Sequence, residues 1–202
     1  MIKKITLALV FIGLVSISCA RVAPNYIGVL MENYGKNGQK DYSIVKGKVS
    51  TIGAGTELFQ VPSWEQRAGM DSILHLQAAD QTEFTSNPRY SYILTDEEKA
   101  IELVFQNSRL GSGETFMQKL ESNILEAAIY DIVKDASREY STDTLMSKGG
   151  NIAFERHVQP LVAKAFEDRG LTLKTFTVQL EFSKKVKEKI DNRNEVNPNV
   201  TL

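Results

Sequence analysis

Cysteine is nearly absent: the 202 residues contain one, Cys19. A lone cysteine excludes an internal disulfide, and everything after it lacks a thiolate for metal ligation or nucleophilic attack. Histidine is scarce as well. His75 and His157 stand far apart in sequence, whereas zinc ligands come in close pairs. Neither sign of charge prevails, with 24 Lys and Arg against 25 Asp and Glu, so no basic excess favours nucleic acid. Long apolar runs are missing too. Ile5 to Ile17 covers about thirteen residues where a bilayer span needs roughly 20. No low-complexity tract or Pro/Gly-rich linker divides the chain, so one folded domain is expected over most of its length.

What is present begins at the N-terminus. Lys3 and Lys4 form a positive n-region, Ile5 to Ile17 an apolar h-region, and small residues lead to Cys19. That is the layout of a secretory signal with a nucleophile at the cut. It resembles the bacterial lipoprotein signal, in which the cysteine becomes the first residue and carries acyl chains; Ser16 stands where that signal prefers Leu. A retained anchor helix and plain secretion are the other readings of the same run. The resemblance implies a signal peptide over 1–18, lipidation at Cys19 and a lipid-anchored tether over 19–25 with Pro24 restricting it. Loss of Lys3 and Lys4 moves the formal charge from −1 to about −3, so acidic lipid heads gain no strong electrostatic attractor from the chain as a whole. Attachment would rest on the acyl chains, at about 0.8 kcal/mol per buried methylene. Ala20, rather than Asp, after the cysteine implies by the same resemblance the outer membrane, with the protein facing the periplasm.

From residue 26 the pattern predicts an α+β domain: an antiparallel sheet in the N-terminal half, helices following, and a final strand. Tyr26–Met31, Leu58–Val61, Ser72–Leu76 and Tyr90–Leu94 read as strands separated by turn formers. Thr95-Asp96-Glu97-Glu98 supplies an N-cap with acidic first-turn residues for a helix. Between Glu114 and Tyr140, Phe116, Leu120, Ile124, Ala128, Ile132 and Ala136 recur every four residues, with Met117, Leu125, Ile129 and Val133 widening the stripe. This centres Ile124 and Ile132 on the core face and puts Glu121 toward solvent. A third helix is expected over 151–169, ended by Gly170 and kinked or broken by Pro160. Leu171–Phe182 alternates as one last strand whose parity switches near Lys174-Thr175, the mark of a bulge. Ser183 is expected to cap a short basic helix through Ile190, leaving 191–202 as a disordered tail.

The order of these segments resembles the SPFH, or band 7, superfamily of stomatin and prohibitin, and more narrowly its small bacterial or phage lipoproteins. The residues that carry the likeness are Arg21-Val22-Ala23-Pro24-Asn25-Tyr26-Ile27-Gly28-Val29, the Gly53 to Pro62 element, the strand-to-helix passage Ser91–Ala100, and the helix-Gly-strand segment Leu161–Leu173. The resemblance implies an SPFH/band 7-like domain over 26–190. The segment around Gln81–Pro88 is more polar than the family's strand pair, and the heptad helix with which longer members build rings does not follow.

Other motifs have plainer readings. His75 and His157 lack clustered carboxylates, so a structural role is the ordinary reading. Asp96, Glu97, Glu98 and Glu114 sit where carboxylates stabilise a helix dipole. Ser112, in Gly111-Ser112-Gly113, lacks the spacing and the leading strand of a nucleophile elbow. Gly53-Ala54-Gly55 lacks the Lys-Ser/Thr of a phosphate loop. Tyr130 and Tyr140 read as core edges. Lys184, Lys185 and Lys187 form either a solvated helix face or a contact face for lipid or a partner. No catalytic residue, metal site or cofactor site is assigned. What the family resemblance implies is a non-enzymatic, prohibitin-like protein of the cell envelope, lipid-anchored, self-associating or binding a membrane protein, with a role in scaffolding, lateral organisation of the membrane or modulation of a membrane protease. A periplasmic lipid-anchored hydrolase and a phage lipoprotein that alters the host envelope stand beside it.

Overall fold

The apolar run from Tyr26 to Met31, with β-branched Ile27 and Val29, gives the first long strand, and Tyr42–Val45 and Glu57–Pro62 pair with it on either side. The computed structural model describes residues 19–112 and 115–196; the expected signal peptide 1–18, Glu114 and the end of the expected tail lie outside the described residues. The architecture is α+β with antiparallel sheets. Within the span expected as one domain, the chain forms two compact units, each built from two stretches of sequence.

The first unit runs to Trp64 and takes in 94–119. Its strands are β1 (Cys19–Arg21), β2 (Tyr26–Met31), β3 (Tyr42–Val45), β4 (Lys48–Ser50) and β5 (Glu57–Pro62). β2 is central, paired with β3 and β5, while β1 pairs with β4. Helix α1 (Glu97–Asn107) lies against β2 and β3. Within the capping segment Thr95–Glu98 it is Asp96 that stands at the N-cap rather than in the first turn, its Oδ1 accepting from the Glu98 amide at 2.9 Å. Val29, Phe59, Val61, Leu103, Val104 and Phe116 are fully buried, and the Phe59 and Phe116 rings meet edge to face at 5.6 Å.

The second unit comprises 65–93 and the residues from Leu120 onward. Its strands β6 (Gln66–Gly69), β7 (Leu74–Gln77), β8 (Glu83–Ser86) and β9 (Arg89–Ile93) are followed by α2 (Thr115–Leu120, mostly in the first unit), a π-helical turn (Glu121–Leu125) and α3 (Glu126–Ser137). Then come α4 (Thr142–Met146), α5 (Gly150–Glu167), β10 (Thr172–Thr177), β11 (Leu180–Phe182) and α6 (Lys184–Val196). Two three-stranded sheets result, β10-β9-β6 and β11-β8-β7. The polar segment around Gln81–Pro88 therefore does supply a strand, β8, in a hairpin with β7. Helix α5 packs on α3 and β10, burying Phe154, Val158, Val162 and Phe166 completely.

Several expectations change here. The long amphipathic stripe is interrupted by the π turn. One extra residue per turn advances the phase, so burial steps from Leu120 to Leu125, Ile129 and Val133, while Ile124, Ala128 and Ile132 are only half-buried. Glu121 is turned inward and half-buried instead of facing solvent. Pro160 does not break α5. It is exposed, as is Arg156, whose carbonyl loses its helical donor to the proline. The final strand divides in two, β10 joining β9 and β11 joining β8. The bulge forms where parity predicted it, between Leu173 and Thr175. Gly170 closes α5 at φ +79°, with the Leu171 amide donating to the Phe166 carbonyl at 3.0 Å. Helix α6 extends six residues past Ile190, into the segment expected to be disordered.

Candidate functional site

The residues after Cys19 were expected as a tether and are instead part of the first unit. In the β1–β4 ladder Cys19 stands opposite Ser50, Ala20 opposite Val49 and Arg21 opposite Lys48. The Val22 amide donates to the Gly47 carbonyl at 2.9 Å, and the Ala23 amide to Gln60 Oε1 at 2.9 Å. The Asn25 carbonyl accepts from both the amide and the hydroxyl of Ser63, at 2.9 and 2.6 Å. Val22 is the apolar pin. It is buried with Leu30 and Val49, against Tyr26, Val45 and Leu58, a burial that contributes on the order of 2 kcal/mol. Short polar spacing around Pro24 looks like linker, but the amides of Val22 and Ala23 and the carbonyls of Ala23 and Asn25 find partners at Gly47, Gln60, Tyr26 and Ser63.

The lysines of α6 are exposed. The Ser183 hydroxyl accepts from the Val186 amide at 3.4 Å, the expected cap. Lys184 and Lys187 share a helix side, whereas Lys185 lies about 100° around it. Lys184 Nζ is 3.6 Å from Glu188 Oε1, an exposed pair of small value. Ile190, 7% exposed, is the apolar residue that holds the helix down.

The histidines stay apart in role. His75 is exposed on β7, opposite Thr85. His157 on α5 has Nδ1 2.9 Å from the Tyr140 hydroxyl and Nε2 3.7 Å from Glu139 Oε2, tying α5 to the residues just after α3. Among the described residues no three His, Cys, Asp or Glu side chains gather as a metal-ligand group. Ser112 is an exposed bend residue. Glu97 pairs with Lys46 at 2.7 Å on the surface. Tyr140 packs edge to face on Phe154 at 5.4 Å, and Tyr130 lies under the Lys134 ammonium. An open groove of about 680 Å³ lies over β7, β8 and β11, with Phe84 and Phe182 stacked at 5.0 Å and His75, Lys134, Arg138 and Glu181 around it.

One cluster has no signal in the sequence. Tyr90 and Tyr92, buried on β9, both meet the Phe166 ring edge to face. The Tyr92 hydroxyl donates to Glu121 Oε1 at 2.6 Å, and Glu126 Oε2 accepts from the Asp71 amide at 3.1 Å. Burial is the main cause that raises both carboxyls above the ordinary range; for Glu121 the Tyr92 bond opposes it, and the Asp71 charge adds to it. Burial, then the Glu121 charge, pushes both phenols far up, so they are donors at any physiological pH. The Tyr90 hydroxyl and Ser86 Oγ are buried without a partner among the described residues. Glu121 points inward only because the π turn rotates it there, and nothing in the residue pattern announces a π turn. The cluster couples packing to protonation, because carboxyls that bind their protons more tightly face phenols that keep theirs.

No protein-family model matches this chain, and no curated protein matches it.

Proposed function

We propose that the protein is a non-enzymatic scaffold of the prohibitin-like, SPFH/band 7 kind, anchored to a membrane of the cell envelope by acyl chains on Cys19, where it organises membrane proteins, including a membrane protease, or copies of itself. The observation that carries the reading is the β1–β4 ladder joined to the sequence before it. An apolar run ends at the one cysteine, and within three residues the chain is hydrogen-bonded into a folded unit. An anchor there leaves no slack, so the first unit is held at the bilayer and its effective concentration for partners in that plane rises. The order of elements supports the family assignment: strands first, helices next, and a returning strand, β10, that pairs with β9, the strand leading into the helices.

Palmitate labelling in the native host tests the anchor. The wild-type chain incorporates label and fractionates with membranes, and Cys19→Ser loses the label. Equal labelling of the two proteins would sink the reading. Cross-linking of the labelled protein in its membrane then identifies what it organises.

A further inference from the structure

Where β4 ends, the first unit carries apolar side chains that its own fold does not cover. Ile52 and Tyr34 are each 65% exposed. They belong to neighbouring loops, because the Tyr34 amide donates to the Gly55 carbonyl at 3.0 Å and the Tyr34 ring lies over Gly55, where a Cβ would come within 2.4 Å of it. Tyr34 is held at φ +57°, a conformation costly for a non-glycine residue. Strain is thus spent on a side chain that faces water.

These loops adjoin the end of the apolar leader. Ser50, the strand partner of Cys19, is two residues from Ile52, and the Ile52 amide reaches Ser50 Oγ at 3.4 Å. The three-residue ladder is about 7 Å long. At its other end Arg21 and Lys48 stand directly opposite each other, both exposed and without an ion-pair partner among the described residues. Like charges opposite in a ladder repel, and a nearby anion relieves them. Net acidity of the chain therefore conceals a local cationic pair beside the anchor.

We infer that this rim, with Ile52 and Tyr34 as apolar tips and Arg21 and Lys48 as headgroup ligands, is a second membrane contact that seats the first unit on an anionic phospholipid surface. The inference rests on the anchoring proposed above, which places the bilayer at Cys19. Exposed Glu32 and Glu57 flank the same loops and keep the seating shallow, within the interface.

The test uses the full chain reconstituted in vesicles of phosphatidylcholine with roughly 30% phosphatidylglycerol, an anionic content that gives each nearby cation about fivefold in binding. Trp64 is the sole tryptophan, so Trp64→Phe with Ile52→Trp yields a single reporter at the rim. Brominated lipids are expected to quench the reporter at 52 about twofold or more relative to the same vesicles without bromine, as for a side chain in the interface. Arg21→Glu with Lys48→Glu preserves the like-charge pairing and is expected to reduce quenching on anionic vesicles to the level on neutral ones. Floated protein with the reporter at 52 unquenched overturns the rim and leaves the anchor standing when palmitate is on Cys19. Protein that neither carries palmitate nor floats overturns both. Quenching at 52 without palmitate keeps the rim and overturns the anchor.

Discussion

Glu121 shows how one residue is set by its surroundings. Its carboxylate is half-buried, and its best partner is a phenol that stays protonated. A carboxyl whose folded pKa is raised above 4.5 makes the native state hold a proton that the unfolded chain has released. Between the unfolded value and the raised one, stability therefore falls as pH rises; above it the full penalty persists, and below the unfolded value it vanishes. Thermal melts between pH 4 and 8 are expected to show Glu121→Gln flatter over this window and at least as stable as wild type at neutral pH, because the amide oxygen still accepts from Tyr92. Tyr92→Phe leaves the buried carboxylate without its donor and is expected to cost about 1.5–3 kcal/mol at pH 7. A Glu121→Gln melt that tracks the wild-type pH slope would assign the slope elsewhere.

At the scale of elements, the π turn decides which side chains carry the packing. Leu125 and Ile129 are fully buried, and Leu125→Ala or Ile129→Ala is expected to cost about 2–5 kcal/mol in denaturant unfolding. Ile124→Ala, one position off the buried line, is expected to cost less than either. The reverse order would place the buried line where regular spacing by four puts it. This is also where the sequence was least legible. Strong local signals are legible directly: a cap within Thr95–Glu98, the Gly170 stop, the β10 bulge and the strand at Tyr26–Met31 follow from residue chemistry within a few positions. The π turn does not, since no residue type demands it and the cost of its looser hydrogen bonds is offset by burial of Leu125 and the Tyr92–Glu121 bond. Strands β4 and β6 escaped for a similar reason. They are short and polar, and partners distant in sequence, β1 and β9, make them strands.

For the whole molecule, the bearing of the N-terminal residues on the rest matters most. Residues 19–25 read as linker by composition, yet the ladder with β4 and the buried Val22 fix them to the first unit. A loose tether and a fixed strand differ in how often the chain opens to a protease, which follows the opening equilibrium when reclosing is fast. Trypsin cutting after Arg21 is therefore expected to be slow in the folded protein, although the Arg21 side chain is exposed. Val22→Asp places a carboxylate among Leu30, Val49 and Leu58, where an unpaired charge is expected to open the segment by several kcal/mol or ionise only at that expense. Cleavage after Arg21 then accelerates by at least tenfold, read by mass as a product beginning at residue 22. The conservative Val22→Ile keeps the apolar pin and is expected to stay near the wild-type rate. Rapid cleavage of the wild type at Arg21, with the rest of the chain intact, would show that 19–25 is the free tether its composition suggests, and the anchor would then hold the protein near the bilayer without fixing which side faces it.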